Sequence, residues 1–248
     1  MGPPRGTVRI DGAGVGLPLP GRGQTKAVRP VTVLPSLLSA DFARLADELR
    51  RCEQAGARLL HVDVMDAHFV PNLTFGPFIV AAMRRSTRLH LDVHLMMTDP
   101  LRYVADFRAA GADAITIHVE AVGPRHCAEA IERVRSTGAA VGLALNPDTD
   151  PELWFSHFAK VDLVMFMTVY PGFGGQSFIP QVRARIRATR AAFPTLPIQV
   201  DGGINRETIP LVLADGADRL VTGNAFFNDP DPAGFLRWAE TQANAAKP

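Results

Sequence analysis

The feature of this chain that most limits its fold is a regular alternation of short apolar runs and amphipathic stretches. From Pro30 onward, eight runs rich in Val, Ile and Leu alternate with segments of helical periodicity. Eight strand–helix units in about 215 residues favour a single (β/α)8 TIM barrel of the α/β class over an open, doubly wound sheet. An open sheet usually has a Gly-rich turn directly after its first strand, whereas here that turn reads PSLLSADF (35–42). We expect strands at 32–36, 59–65, 89–96, 114–119, 140–145, 163–169, 197–202 and 218–223, and helices near 41–55, 77–86, 100–110, 125–137, 151–158, 180–192, 206–215 and 231–244.

Residues 1–30 differ from the rest of the chain. They are rich in Gly, Pro and Arg and show no periodic pattern, which predicts a flexible tail ahead of a catalytic barrel domain at 31–246. The segment has no apolar core of the kind that a signal peptide needs, so we do not expect it to be one.

The composition excludes several classes of protein. The net charge is +1 and no long block of like charge occurs, so we expect neither nucleic acid nor an anionic membrane as the main partner. No run of about 18 apolar residues occurs, so no membrane span is expected. Cys52 and Cys127 lie in separate helical segments without CxxC spacing, as is typical of free thiols in a reducing compartment. We therefore expect a cytoplasmic protein.

Four side chains that can bind metal stand late in the apolar runs. His61 and Asp63 occur in RLLHVDVMD, His94 in LDVHLMM and Asp201 in IQVDGGI. Residues two apart on a strand point to the same side, and the active sites of such barrels lie at the carboxyl ends of the strands. Two imidazoles and two carboxylates that meet there predict a divalent-cation site. The carboxylates can also carry protons, so the same cluster can supply an acid/base pair.

Three adjacent Gly-rich loops predict a phosphate site. PGFGGQSF (171–178), DGGI (201–204) and TGNAFF (222–227) follow the sixth, seventh and eighth strands. Glycine lets backbone N–H groups approach an anion closely, and the last loop leads into the start of a short helix. Phosphate sites in these barrels typically use the loops after strands seven and eight.

Methionine and lysine narrow the chemistry further. Met65, Met96 and Met167 end the second, third and sixth strands in the register that faces the site, where they can cover the substrate and exclude water. The chain has three lysines, at 26, 160 and 247, and none is expected inside the barrel mouth. A Schiff-base aldolase needs an amine there, so the sequence argues against that class.

From Leu34 to about Asp231, these motifs resemble the ribulose-phosphate 3-epimerase family. The resemblance rests on PSLLSADF (35–42), HVDVMDAHFVPNLTFGP (61–77), DVHLMM (92–97), VYPGFGGQSFIP (169–180), VDGGI (200–204) and GNAFF (223–227). It implies an enzyme that inverts C3 of ribulose 5-phosphate to give xylulose 5-phosphate. Two bases would transfer the proton through a metal-stabilised enediolate. It also implies one divalent metal cation (Zn, Fe, Mn or Co), a phosphoketose substrate and self-association into a homo-oligomer.

Residue roles follow from the match to the family motifs. The resemblance implies that His61, Asp63, His94 and Asp201 bind the metal and that Asp63 and Asp201 are also the acid/base pair. It also implies substrate contacts by Ser36, Gly172, Phe173, Gly174, Gly175, Gly202, Gly203, Gly223 and Asn224. To these we add His94 and, from their positions at the strand ends, Met65, Met96 and Met167.

The chain departs from the family pattern at a few positions. Ala67 stands where many members have glycine, at a position we expect to accept either residue. Asn224 replaces a serine, and its amide can still donate to phosphate. His118-Val119-Glu120 replaces a His-Pro-Glu string, with valine in place of the proline. Bulky residues near the expected mouth are Phe166, Tyr170 and Phe226.

Two other functions stay open at this point. One is an epimerase of another ketose phosphate, such as a ketohexose 6-phosphate, because only the pocket length would differ. The other is a barrel that binds sugar phosphates without turnover. The paired carboxylates Asp63 and Asp201 argue against the second, because a binding protein needs no opposed bases.

Overall fold

The structure, a computed structural model, describes residues 30–245. Eight parallel strands form one sheet in the order β1-β8-β7-β6-β5-β4-β3-β2. One parallel bridge, between Ser36 and His61, completes the circle between the first two strands. The predicted (β/α)8 barrel is confirmed. The strands are Thr32–Pro35 (β1), Leu59–Met65 (β2), His90–Met96 (β3), Ala114–His118 (β4), Ala140–Leu145 (β5), Leu163–Met167 (β6), Ile198–Asp201 (β7) and Arg219–Thr222 (β8).

Helices surround the barrel, and most begin or end within a few residues of the predicted bounds. The predicted helix near 41–55 starts as a 3-10 turn, Phe42–Arg44, which the Asp41 side chain caps by accepting from Ala43 N. The predicted tail at 1–30 lies outside the described residues, except for Pro30. None of the helices within 30–245 is both long and apolar enough to cross a bilayer. The helices are Leu45–Ala55 (α1), Pro77–Ser86 (α2), Val104–Ala109 (α3), Val119–Ser136 (α4), Phe155–Phe158 (α5), Val182–Ala192 (α6), Ile209–Ala214 (α7), Asn224–Phe227 (α8) and Pro232–Ala245 (α9).

The largest difference from the predicted bounds is at α4. The sequence predicts a helix from residue 125, because a Gly-Pro pair usually interrupts a helix. The structure starts α4 at Val119 and bends it at Gly123, whose φ is 69°. Pro124 then opens the second part of the helix, a position where its missing N–H costs little. The residues around 118–120 therefore lie where β4 turns into α4.

Alternation along the strands separates two environments. Side chains such as Val62, Val93 and Ile115 face outward and pack under the helices in the main apolar core. The residues between them face the barrel interior, and on β2 and β3 many of these are polar and fully buried, among them His61 and His94. The period of two thus places an apolar layer outside and a polar layer inside the same strands.

Acidic side chains fix the opposite end of the barrel. Asp218 accepts hydrogen bonds from Ile198 N (3.0 Å) and from Arg190 Nη2 (2.9 Å). Asp113 does the same with Leu91 N (2.9 Å) and Arg84 Nη1 (3.0 Å). Both aspartates end a Gly-Ala-Asp turn, so the repeated motif is one recurring way to join a helix to the start of a strand.

Ala67 has an unusual backbone conformation. Its φ is 59°, and it is the one residue other than glycine in the described range with a positive φ. Its N–H donates to Asn72 O (2.9 Å), which holds this exposed turn in place after β2. A Cβ in the left-handed region costs roughly 1–2 kcal/mol. The structure therefore gives this position a preference for glycine.

We expect Ala67→Gly to stabilise the protein. The gain from removing the Cβ is partly offset by the greater freedom of glycine in the unfolded chain, so we expect about 1 kcal/mol more free energy of unfolding. Urea denaturation measures it, with Ala43→Gly, at an exposed position without a positive φ, as the matched control. An equal or lower midpoint for Ala67→Gly would contradict the assignment of strain to this turn.

Candidate metal centre and active site

The structure brings together the four side chains that the sequence singled out as metal ligands. One ligand atom from each of His61, Asp63, His94 and Asp201 lies within 4.8 Å of the others. Asp63 Oδ1 is 3.2 Å from His61 Nε2 and 3.1 Å from His94 Nδ1. Asp201 Oδ2 is 3.7 and 3.8 Å from the same two nitrogens. The cluster therefore has the donor set and the size of a metal site.

The proton on His61 is placed by a carboxylate behind it. His61 Nδ1 lies 2.8 Å from Asp92 Oδ2, an oxygen that also accepts from Gln199 Nε2 (2.7 Å). An ionised carboxylate only accepts, so Nδ1 carries a proton, and the lone pair of the neutral imidazole is on Nε2. That buried Nε2 has no hydrogen-bond partner and faces the cluster. A bare nitrogen that faces two carboxylates fits a cation between them.

Without a cation, the pKa values in the cluster are shifted by the negative charge of its carboxylates. Burial raises the pKa of Asp201 to about 7, and the charge of Asp63 adds to the effect. Burial alone would lower the pKa of His61, but Asp63 and Asp92 outweigh it and raise that pKa well above its ordinary value. Burial likewise opposes the ionisation of Asp63, but His61 and His94 hold its pKa below the usual range. Protons thus occupy the site when no cation does.

Ser36 orients one of the two carboxylates. Its hydroxyl donates to Asp63 Oδ2 at 2.6 Å, and both residues are buried. Thr74 Oγ1 donates to the backbone oxygen of Asp63 (2.9 Å) and fixes that end of β2. Asp63 Oδ1 is left to face the imidazoles, so β1 and the loop after β2 together hold this side chain in one orientation.

A cavity of about 280 Å³ opens above the cluster, close to the lower end of the range typical of ligand pockets. It contains Asp63, Asp201 and every residue predicted to bind substrate except His94, which lies beneath its floor. Sequence reasoning missed several lining residues, Ser39 and Asn205 among them. The predicted residues in its lining are Ser36, Met65, Met96, Met167, Gly172, Phe173, Gly174, Gly175, Gly202, Gly203, Gly223 and Asn224.

The glycine loops pack so closely that larger residues would not fit. A Cβ on Gly203 would lie 2.8 Å from Phe178 N, and a Cβ on Gly223 would lie 2.4 Å from Ser39 Oγ. The loops after β6 and β7 therefore pack against each other, and the loop after β8 packs against the turn after β1. All of them line the cavity. Backbone N–H groups in such loops are suited to an anion.

Comparison with known proteins agrees with this geometry. Residues 32–227 match the Ribulose-phosphate 3 epimerase family. The chain belongs to this family. The ribulose-phosphate 3-epimerase of Bacillus subtilis (strain 168) is 46% identical over 206 residues, which cover 81% of this chain and 94% of that protein. The ribulose-phosphate 3-epimerase of Synechocystis is 45% identical over 207 residues, with coverage of 82% and 90%.

Solved structures share the architecture at low identity. A mutant tryptophan synthase α-subunit from Pyrococcus furiosus superposes with a TM-score of 0.63 at 15% identity, covering 88% of this chain and 100% of that one. A 3-hexulose-6-phosphate synthase gives 0.57 at 20% identity, with coverage of 88% and 98%. These two similarities establish the fold alone.

The bulky residues noted near the mouth of this epimerase-family barrel do not line its cavity. Phe166 and Phe226 are fully buried in the outer core, because they face the helices and not the interior. Tyr170 points to solvent and donates its hydroxyl to Asp148 Oδ2 (2.6 Å). The expectation that these bulky side chains lie at the mouth was wrong, and none of the three narrows the cavity.

The polar residues behind the imidazoles were also missed by sequence reasoning. Asp92 and Gln199 lie behind His61, while His118 lies behind His94, with Nε2 atoms 2.9 Å apart. A weak signal was present, since Asp92 stands two positions before His94 in DVHLMM and therefore faces the same side.

Metal binding should weaken in acid. The pKa values of His61 and Asp201 are raised, so below about pH 7 protons hold the positions that a cation needs. We expect the affinity for Co²⁺ to fall by about tenfold or more from pH 8 to pH 6, with proton release on binding. Calorimetry in buffers of different ionisation enthalpy measures both quantities. A pH-independent affinity without proton release would refute this account of the site.

Proposed function

We propose that this chain is a ribulose-phosphate 3-epimerase, an isomerase that interconverts D-ribulose 5-phosphate and D-xylulose 5-phosphate at C3 in the pentose phosphate pathway. The observation that carries the proposal is the convergence of two carboxylates, the buried Asp63 and the partly buried Asp201, at the floor of a small cavity. They come from β2 and β7, strands that are not neighbours in the sheet. Inversion at carbon needs a base on each face of the substrate, and carboxylates on separate strands can supply both.

The residues fit one divalent cation. His61, Asp63, His94 and Asp201 would hold it, since two imidazole nitrogens and two carboxylates suit Zn²⁺, Fe²⁺, Mn²⁺ or Co²⁺. The unpartnered Nε2 of His61 is an observation that supports this fit. When bound, the cation acts as a Lewis acid that stabilises the negative charge developed on the substrate oxygens.

The two carboxylates divide the proton transfer. Asp63, which is ionised, would accept the C3 proton, and Asp201, which holds a proton more readily, would deliver one from the other face. In the reverse reaction the roles exchange. Ser36 keeps Asp63 oriented through its 2.6 Å hydrogen bond. Met65, Met96 and Met167 exclude water from the reacting carbon.

The glycine loops position the other end of the substrate. Backbone N–H groups of 172–175, 202–203 and 223–224 would bind the phosphate, with the Asn224 amide as an additional donor. Fixing the phosphate at one end of the cavity sets C3 between the carboxylates. Such positioning contributes to rate by reducing the entropy that must be lost in the transition state.

Replacing either carboxylate should separate the two half-reactions. We expect Asp63→Asn and Asp201→Asn each to lose net epimerisation by at least about 10²–10⁴-fold. In D₂O, each variant should still exchange the C3 hydrogen of one epimer, and the two variants should exchange opposite epimers. Proton NMR of recovered sugar measures this, with metal content assayed in parallel and Asp99→Asn, at an exposed position without a cap bond, as control.

Several results would overturn this assignment. Near-normal epimerisation by either variant would exclude the two-base scheme. A wild-type chain that leaves C3 unexchanged in all tested sugar phosphates would be a binding protein. A higher kcat/KM for a ketohexose 6-phosphate than for ribulose 5-phosphate would show that the six-carbon sugar is the substrate.

We also propose that the protein is a homo-oligomer and is cytoplasmic. Exposed apolar side chains support self-association: Leu73, between β2 and α2, is 70% exposed, and Phe78, in the first turn of α2, is 79% exposed. One relative, from rice, is named as a cytoplasmic isoform and is 41% identical over 83% of this chain.

We expect Leu73→Ser combined with Phe78→Ser to shift the protein toward smaller species. Light scattering after gel filtration measures the mass, with Leu153→Ser, which removes an exposed leucine (75%) elsewhere on the surface, as the matched control. A wild-type protein that is monomeric at high concentration would refute the oligomer, and an unchanged mass of the double variant would exclude this surface.

A further inference from the structure

His94 is backed by a second histidine. His94 Nε2 lies 2.9 Å from His118 Nε2, and both side chains are fully buried. His118 Nδ1 lies 3.0 Å from Glu120 Oε2. The side chains of β3, β4 and the first turn of α4 thus form a chain that ends in a carboxylate.

Two proton arrangements are conceivable in this chain. Glu120 favours one, and Asp63, which also only accepts, favours the other when no cation lies between it and His94. With a cation bound at the cluster, Glu120 selects the arrangement. Two ring nitrogens at 2.9 Å share a single proton, so one donates and the other accepts. The Glu120 carboxylate only accepts, which requires the proton of His118 on Nδ1. His118 Nε2 is then an acceptor, and His94 must carry its proton on Nε2. The inner nitrogen of His94, Nδ1, is left bare, 3.1 Å from Asp63 Oδ1.

The other oxygen of Glu120 is committed as well. Oε1 accepts from Asn146 N (2.7 Å) and from the Thr149 hydroxyl, both in the turn after β5. All three partners of the carboxylate are donors. They hold the pKa of Glu120 below its ordinary value, although burial alone would raise it. A rotation of the carboxylate away from His118 would also disturb its hydrogen bond with Asn146 N.

We propose that Glu120 is a positioning residue for the metal centre, which acts through His118 to keep the inner nitrogen of His94 free to bind a cation. The inference rests on the proposed metal site and adds a residue that touches neither the metal cluster nor the cavity. It also explains a difference between the two imidazoles. His61 contacts a carboxylate, Asp92, directly. The carboxylate that fixes the proton of His94 is Glu120, which acts through His118.

The substitution Glu120→Gln tests the proposal because the amide reverses the pattern. The single oxygen of the glutamine is needed by Asn146 N–H, so its NH₂ group faces His118 Nδ1. His118 must then place its proton on Nε2, and His94 must move its own proton to Nδ1, where the cation binds. Thr149→Val is the matched control, because it removes one donor to Glu120 and leaves the His118 contact in place.

The primary measurement is Co²⁺ and Zn²⁺ affinity by chelator competition. We expect Glu120→Gln to weaken binding by about 10–100-fold and Thr149→Val by less than about threefold. Nitrogen-15 NMR of the metal-free protein at neutral pH should show a larger share of the His94 proton on Nε2 in the wild type than in Glu120→Gln, because Glu120 opposes the pull of Asp63 on Nδ1 only in the wild type. A structural role alone would not move that proton.

A rescue variant separates positioning from general damage. In Glu120→Gln/His118→Gln, the amide oxygen at position 118 can turn toward His94 Nε2–H whatever residue 120 offers. We expect its metal affinity to return to within about threefold of the wild type. If the substitutions acted by loosening the packing, their effects would add, and the double variant would bind metal more weakly than Glu120→Gln. If circular dichroism shows that Glu120→Gln does not fold, His118→Gln and His118→Phe are compared instead. We expect His118→Gln to keep an acceptor for His94 Nε2–H and therefore the metal affinity. We expect His118→Phe to lose both.

The outcomes distinguish this inference from the function on which it rests. A folded Glu120→Gln protein with wild-type affinity and an unchanged His94 proton would overturn the inference alone. Equal affinities of His118→Gln and His118→Phe would also overturn it. A wild-type protein that binds neither cation would overturn the metal site and the inference together.

Discussion

The structure depends on how two buried carboxylates and two imidazoles are kept within a few ångströms of one another. Two ionised carboxylates in such a site repel each other and lose their hydration, a cost of several kcal/mol per ion. Here the surrounding bonds direct Asp63 and the bare Nε2 of His61 inward. The cluster is therefore stable only when something positive fills its centre, whether protons or a cation. This requirement links the fold to the chemistry, because the barrel must be rigid enough to hold the groups together.

Parallel pairing supplies that rigidity. Asp63 is paired in register with His94 across β2 and β3, and the next inward pair is Met65 with Met96. Met167 is paired in the same way with Asp201 across β6 and β7. On β2 and β3 the ligands and the apolar cover of the site are thus successive rungs of one ladder, whereas on β6 and β7 a ligand and a methionine share a rung. A slip of one residue in either ladder would exchange the inner and outer faces of a strand and lose both layers.

Much of this was predictable from local sequence. Alternation in LLHVDVM is enough to place β2 at its observed bounds, Leu59–Met65, and to set His61 and Asp63 on one side. The residues behind the imidazoles were not predictable in this way, because they depend on the stagger between strands. His94 is paired in register with Thr116, yet its ring reaches His118, two positions further along β4. Helical periodicity also gives no sign that α4 begins before Gly123 and so brings Glu120 to the end of β4.

The two carboxylates are held unequally, and this bears on how an epimerase can run in both directions. Asp63 receives a hydrogen bond from Ser36 and lies within 3.2 Å of both imidazoles, whereas Asp201 Oδ2 is 3.7 Å or more from them. Without a cation, a proton therefore resides far more readily on Asp201 than on Asp63. Forward and reverse turnover need these protonation states to exchange, so a large gap between the two pKa values would slow the exchange. A cation between them would lower the pKa of both carboxyls, but beside Asp63 it would replace positive charge and hydrogen bonds that the imidazoles already supply, so the larger change would fall on Asp201. A bound cation would therefore also bring the two bases closer to equivalence.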